Sequence, residues 1–138
     1  MIQQAVLDTN VVVDFLLKRP GFAENAGKIF DKINIGIFVG CISSSAVTDI
    51  YFIVESKTNP EYAREMMELL YRSLRILPVI RETIREALDS DMQDFEDAVQ
   101  AAAAQDCGID IVITRDKSGF HDSGLNVYSP EEFLETLK

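Results

Sequence analysis

The sequence predicts an α/β protein, a three-layer α/β/α sandwich around a central parallel sheet of four to five strands. Short apolar runs rich in β-branched residues, such as IDIVIT, alternate along the chain with segments of helical period, the pattern of successive βαβ units. Two of those runs lead into an aspartate, Asp8 after AVL and Asp116 just after IVIT, and parallel sheets gather such positions at the carboxyl ends of their strands. Length and composition agree: 138 residues at 47% hydrophobic content supply one core and are too few for two, so residues 1–138 read as a single domain.

Residues 2–7 (IQQAVL) form the first expected strand. Asn10 or Thr9 caps the helix that follows, VVVDFLLKR, and Pro20 with Gly21 ends it. A second helix from Phe22 to Ile35 spaces Ala23, Ala26, Ile29, Phe30 and Ile33 along one face, and Gly36 breaks it. IFVGCIS is a short strand. After it, Val47, Ile50, Tyr51 and Val54 mark a helix with Asp49 near its start, and Asn59 and Pro60 open another, striped by Ala63, Met66, Met67, Leu70 and Leu74. RILPVI is a strand that Pro78 assigns to an edge or an end. RETIREALDS and DFEDAVQAAAAQDCG are helices, the second closed by Gly108 and slim enough, through its alanines, to pack closely on the sheet. IDIVIT, a polar turn, a short strand NVYS and a helix PEEFLETLK begun by Pro130 complete the chain.

No apolar stretch approaches a membrane span and no basic segment precedes a long apolar one, so a soluble, cytoplasmic protein with no membrane partner is expected. Cys41 in an apolar run and Cys107 at a helix end read as buried, reduced thiols. With one histidine, His121, and two distant cysteines, zinc has no ligand set. Ser118 and His121 stand in a glycine-containing loop with no motif of nucleophilic catalysis, and the seven glycines form no nucleotide-binding pattern. A net charge of −10 opposes nucleic-acid binding, because Lys and Arg make the phosphate contacts. Bound cations, a rim built from Arg64, Arg72, Arg75, Arg81 and Arg85, or a basic partner protein would offset it.

Four acidic patches remain: Asp8, Asp49, the pair Asp94 and Asp97, and Asp116. Singly, each has a plain explanation. Asp8 and Asp94 cap helices, Asp97 opposes a helix dipole, Asp116 pairs with Arg115 or Lys117, and Asp49 is a solvated helix residue. Asp14, inside the first helix, reads as a solvated surface acid. Taken together, those explanations require four coincidences where one suffices. Carboxylates converging from distant segments repel one another, and a hard divalent cation, Mg²⁺ or Mn²⁺, removes the repulsion. Asp94 and Asp97 lie one helical turn apart and reach one ion directly or through water.

In this order and setting the acids resemble those of the PIN-domain family, metal-dependent nucleases that include the toxins of VapC-type toxin–antitoxin pairs. The resemblance rests on LDTN, on the helix DFEDAVQAAAA and on ITRD with Phe120 after it, and extends from VLDTNVVVD to SPEEFLETL. It implies that Asp8, Asp97 and Asp116 are catalytic acids and metal ligands, and that Asp94 is an additional metal-facing acid one turn earlier. Asp49 stands where the family more often has glutamate, as a catalytic acid one methylene shorter. Thr9, Asn10 and Thr114 match polar positions that orient the acids or contact phosphate. The implied reaction is hydrolysis of RNA by one or two Mg²⁺ or Mn²⁺ ions, leaving 5′-phosphate and 3′-hydroxyl ends without a covalent intermediate. The implied partners are an antitoxin that fills the acidic cleft and a second copy of the chain in a homodimer. Two readings compete: a PIN-fold module that binds RNA or protein with weak or lost catalysis, and a receiver-like phosphate-handling domain. The latter needs a lysine after a later strand, whereas Lys117 adjoins an acid already assigned to the site.

Overall fold

A computed structural model describes residues 2–138. Five strands form one parallel sheet in the order β3-β2-β1-β4-β5: β1 Gln4–Leu7, β2 Val39–Ser43, β3 Arg75–Leu77, β4 Ile111–Ile113 and β5 Asn126–Tyr128. The helices are α1 Thr9–Leu16, α2 Ala23–Asn34, α3 Ser44–Lys57, α4 Pro60–Ser73, α5 Arg81–Asp89, α6 Phe95–Asp106 and α7 Pro130–Thr136, with a 3₁₀ turn at Lys117–Phe120. The expected three-layer α/β/α sandwich is therefore present.

The pleat divides the core in two. Ala5 and Leu7, Ile42, and Ile111 and Ile113 face the layer built from α1 to α4 and α7, where Ile29, Phe30, Ile50 and Phe133 are buried. Val6, Cys41 and Val112 face the opposite layer with Ala103 and Ala104 of α6, whose methyl side chains let that helix lie close on the sheet. Pro78 cannot donate to a strand ladder, so β3 stops at Leu77 and occupies an edge.

From central β1 the chain runs outward to β2 and β3, then crosses back to β4 and β5 on the other side. β1 and β4 thus flank the topological switch point, where a parallel sheet opens a crevice at the carboxyl ends of its strands.

Two local expectations are corrected. The cap of α1 is Asp8, not Thr9 or Asn10: its carboxylate accepts the Thr9 N–H at 2.7 Å. Asp14 is not solvated. It is 1% exposed and accepts from Arg115 Nη2 at 3.1 Å and Arg19 Nη1 at 3.5 Å, so a buried carboxylate is neutralised by two guanidinium groups.

Candidate metal centre

β1 and β4 pair with Leu7 opposite Ile113, so the next residues, Asp8 and Thr114, stand side by side at the strand ends. Thr114 Oγ1 donates to Asp8 Oδ2 at 2.7 Å and accepts the Asp116 N–H at 2.9 Å. Asn10 braces the same loop, its Nδ2 reaching Thr114 Oγ1 at 3.5 Å and its Oδ1 accepting the Arg115 N–H at 3.3 Å. Asp8 Oδ1 accepts from the Thr9 N–H at 2.7 Å and from Gln100 Nε2 at 3.2 Å. Burial raises the pKa of Asp8 and the charge of Asp116 adds to the rise, while hydrogen bonds from Thr114, Gln100 and Thr9 oppose it.

The start of α6 brings Asp97 to this point. Asp94 caps the helix by accepting the Asp97 N–H at 2.9 Å and stays exposed beside it. Asp97 is half-buried, and its carboxyl is raised to about 7, first by burial and then by the charges of Asp8, Asp94, Asp116 and Glu96. Asp97 and Asp116 face each other across Gly119. A Cβ there would lie 2.9 Å from Asp97 Oδ2 and 3.0 Å from Asp116 Oδ2.

Asp116 is exposed and accepts from Ser118 Oγ at 2.8 Å. Neither flanking cation pairs with it. Arg115 turns to Asp14 and lies 3.9 Å over the Phe22 ring, while Lys117 bonds both oxygens of Glu132 at 2.9 and 3.0 Å. The Ser129 backbone N–H and then Lys117 hold the Glu132 carboxyl down at about 2. The plain ion-pair explanation of Asp116 therefore does not occur.

Asp49 is half-buried on α3 and meets this cluster through Glu96, a residue that the sequence reading passed over. Burial raises the Glu96 carboxyl, followed by its hydrogen bond with Asp49 and the charges of Asp49, Asp94 and Asp8. Two further residues had gone unassigned, Gln100 and the supporting hydroxyl of Ser118. The signal for Gln100 was present: it is a polar residue inside the apolar run AVQAAAA.

The structure thus brings Asp8, Asp97 and Asp116 together with Thr9, Asn10 and Thr114 around them, sets Asp94 at the rim, and reaches Asp49 indirectly. Asp94, Asp97, Asp116, Ser118 and His121 line a cleft of about 440 Å³. Among the described residues no three His, Cys, Asp or Glu side chains converge as a complete metal-ligand group. A divalent ion such as Mg²⁺ would therefore have to be held by one or two of these carboxylates, with water and phosphate completing its shell. Among the described residues, the buried side-chain polar atoms without a hydrogen-bond partner are Thr9 Oγ1 and Gln100 Oε1, and both residues also donate to Asp8 Oδ1. An unmet buried acceptor costs about 1–3 kcal/mol, so these oxygens do not serve stability.

A parallel α/β sandwich whose switch point gathers carboxylates beside a cleft defines the class of protein. The sequence model described as "PIN domain" matches residues 4–118, and the chain belongs to that family. It is 25% identical over 138 residues to Ribonuclease VapC1 of Aquifex aeolicus (strain VF5), covering 96% of this chain and 94% of that protein. Among solved structures it resembles a chain of VapBC2 from Rickettsia felis bound to a DNA fragment from their promoter, with a TM-score of 0.73, 13% identity and coverage of 92% and 98% of the two chains. It also resembles a chain of a toxin–antitoxin complex from Klebsiella pneumoniae, with a TM-score of 0.68, 18% identity and coverage of 91% and 97%.

Proposed function

We propose that the chain is a Mg²⁺- or Mn²⁺-dependent endoribonuclease that hydrolyses RNA phosphodiester bonds as the toxin of a toxin–antitoxin pair. The observation that carries this reading is the gathering of Asp8, Asp97 and Asp116 near the β1–β4 switch point, where burial first and the neighbouring acidic charges second raise Asp97 to about 7. Similarity to a ribonuclease and to a toxin–antitoxin structure supports the substrate and partner classes.

One or two of Asp8, Asp94, Asp97 and Asp116 would hold the ion directly and the rest would act through its bound water, with Asp49 beside Glu96. When bound, the ion polarises the phosphate and activates a water for attack. Thr9 and Thr114 orient Asp8, and Ser118 holds Asp116 Oδ1 while Oδ2 faces Gly119 and Asp97. Asp97 exchanges its proton near neutral pH and so limits when the set is fully charged. The net charge of −10 suits a basic antitoxin segment, and a homodimer in the cytoplasm completes the proposal. Among the described residues no helix is long and apolar enough to cross a membrane.

The test is cleavage of a panel of structured RNAs with Mn²⁺ by the wild type and by Asp116→Ala. Cutting by the wild type that disappears in the variant supports the reading. Equal cutting by both contradicts the site, and Mn²⁺ binding without any cutting favours the binding-module alternative.

A further inference from the structure

We infer that Gln100 is a positioning residue that orients Asp8 and ties it to the helix carrying Asp97. The inference rests on the metal-dependent reading above. Gln100 lies on α6 one turn after Asp97, is 1% exposed, and is flanked by the buried residues Ala98, Val99 and Ala101 to Ala104. Its Nε2 donates to Asp8 Oδ1 at 3.2 Å, a bond between residues 92 positions apart, while its Oε1 has no partner in the protein.

A buried amide left half unpaired is a poor space filler. Methionine occupies nearly the same volume without a desolvated oxygen. What the amide adds is a donor aimed at a carboxylate that has the acidic residues Asp97, Asp116 and Glu96 nearby. Thr9 and Thr114 also bond Asp8, but Thr9 is its chain neighbour and Thr114 ends the adjacent strand β4. Gln100 alone of the three joins Asp8 to α6, so it governs the relation between Asp8 and Asp97 rather than the rotamer of Asp8 alone. Hydrogen-bond donors behind ligating carboxylates typically change metal affinity about 10–100-fold.

The experiment compares Mn²⁺ affinity by calorimetry with the thermal midpoint for the wild type, Gln100→Met, Gln100→Leu, Asp8→Asn and Thr83→Val. Thr83 is buried on α5 and donates to Asp106 Oδ2 at 2.9 Å at the far end of α6, so it probes a structural bond to the same helix. Gln100→Met is expected to bind Mn²⁺ about 10–100-fold more weakly with Tm no lower than the wild type. Thr83→Val is expected to lower Tm and leave Mn²⁺ affinity unchanged.

If both Gln100 variants bind Mn²⁺ like the wild type while Asp8→Asn loses binding, the inference on Gln100 is overturned and the metal site stands. If the Gln100 variants lower Tm with unchanged Mn²⁺ affinity, Gln100 is a packing residue and the inference is equally overturned. If the wild type does not bind Mn²⁺, or Asp8→Asn binds it equally well, the metal reading fails and this inference falls with it.

Discussion

Thr114 donates from its hydroxyl to Asp8 Oδ2 at 2.7 Å across the carboxyl ends of β4 and β1, and the same hydroxyl accepts the Asp116 N–H. One buried atom therefore sets the spacing of two acids that arrive from different strands. Thr114→Val keeps the shape and removes both bonds. The expected loss is about 1–3 kcal/mol in urea unfolding, because Asp8 is left short of a donor in a buried site. Mn²⁺ affinity should fall about 10–100-fold, and Thr114→Ser should restore most of both. A valine variant that binds Mn²⁺ like the wild type would show that the linkage is incidental.

Gly119 separates Asp97 from Asp116, and a methyl group there meets both carboxylates at about 3 Å. The obstructed atoms are the ends of side chains that can rotate away, so Gly119→Ala should change stability by less than about 1 kcal/mol. The rotation turns the acids from the cleft, and Mn²⁺ affinity should fall by about tenfold or more. Parallel denaturation and calorimetry separate the two effects.

Stability should depend on pH in a defined direction. The folded protein holds the Asp97 proton up to about 7, whereas the ordinary value is 3.8. The folded state therefore binds more protons than the unfolded chain across that window. Stability of the metal-free protein is greatest below it, falls as pH rises, and has lost the whole contribution above about 7. The raised Asp8 acts in the same sense. Urea midpoints at pH 5 and pH 8 in the presence of a chelator measure the slope, and Asp97→Asn should flatten it. Mn²⁺ should stabilise more at pH 8 than at pH 5, since the ion competes with the proton.

Asp14 holds the loop after β4 from inside α1, through Arg115, which also stacks on Phe22. Asp14→Asn leaves Arg115 and Arg19 without a counter-charge and should destabilise by about 2–3 kcal/mol, at or below the bottom of the range of about 3–5 kcal/mol for broken buried pairs because both guanidinium groups remain partly exposed. Mn²⁺ binding by the folded fraction should be close to that of the wild type. A large loss of Mn²⁺ affinity would place Asp14 within the site.

The fold was legible because its signals are local. β1 ends in a buried Ala-Val-Leu run before a capping aspartate, and the alanines of α6 announce a helix pressed on the sheet. Asp8, Asp97 and Asp116 were legible for the same reason, each standing just after a strand or at a helix start. Strand order was not, since the neighbours of β1 are chosen by pairing with residues far along the chain. Asp14 was misread because its partner Arg115 is 101 positions away and no periodicity within α1 reveals it. Gln100 and Glu96 were passed over because each needs a neighbour from another segment, Asp8 and Asp49, before its polarity acquires a purpose.

The most direct measurement is the anomalous scattering of manganese in crystals grown with MnCl₂. The account requires a manganese peak at Asp97 and Asp116, on the side of the cleft that faces the buried Asp8, and its absence in Asp97→Asn crystals. Crystals of the wild type whose peak lies elsewhere, or that take up no manganese while these carboxylates keep their positions, would contradict it.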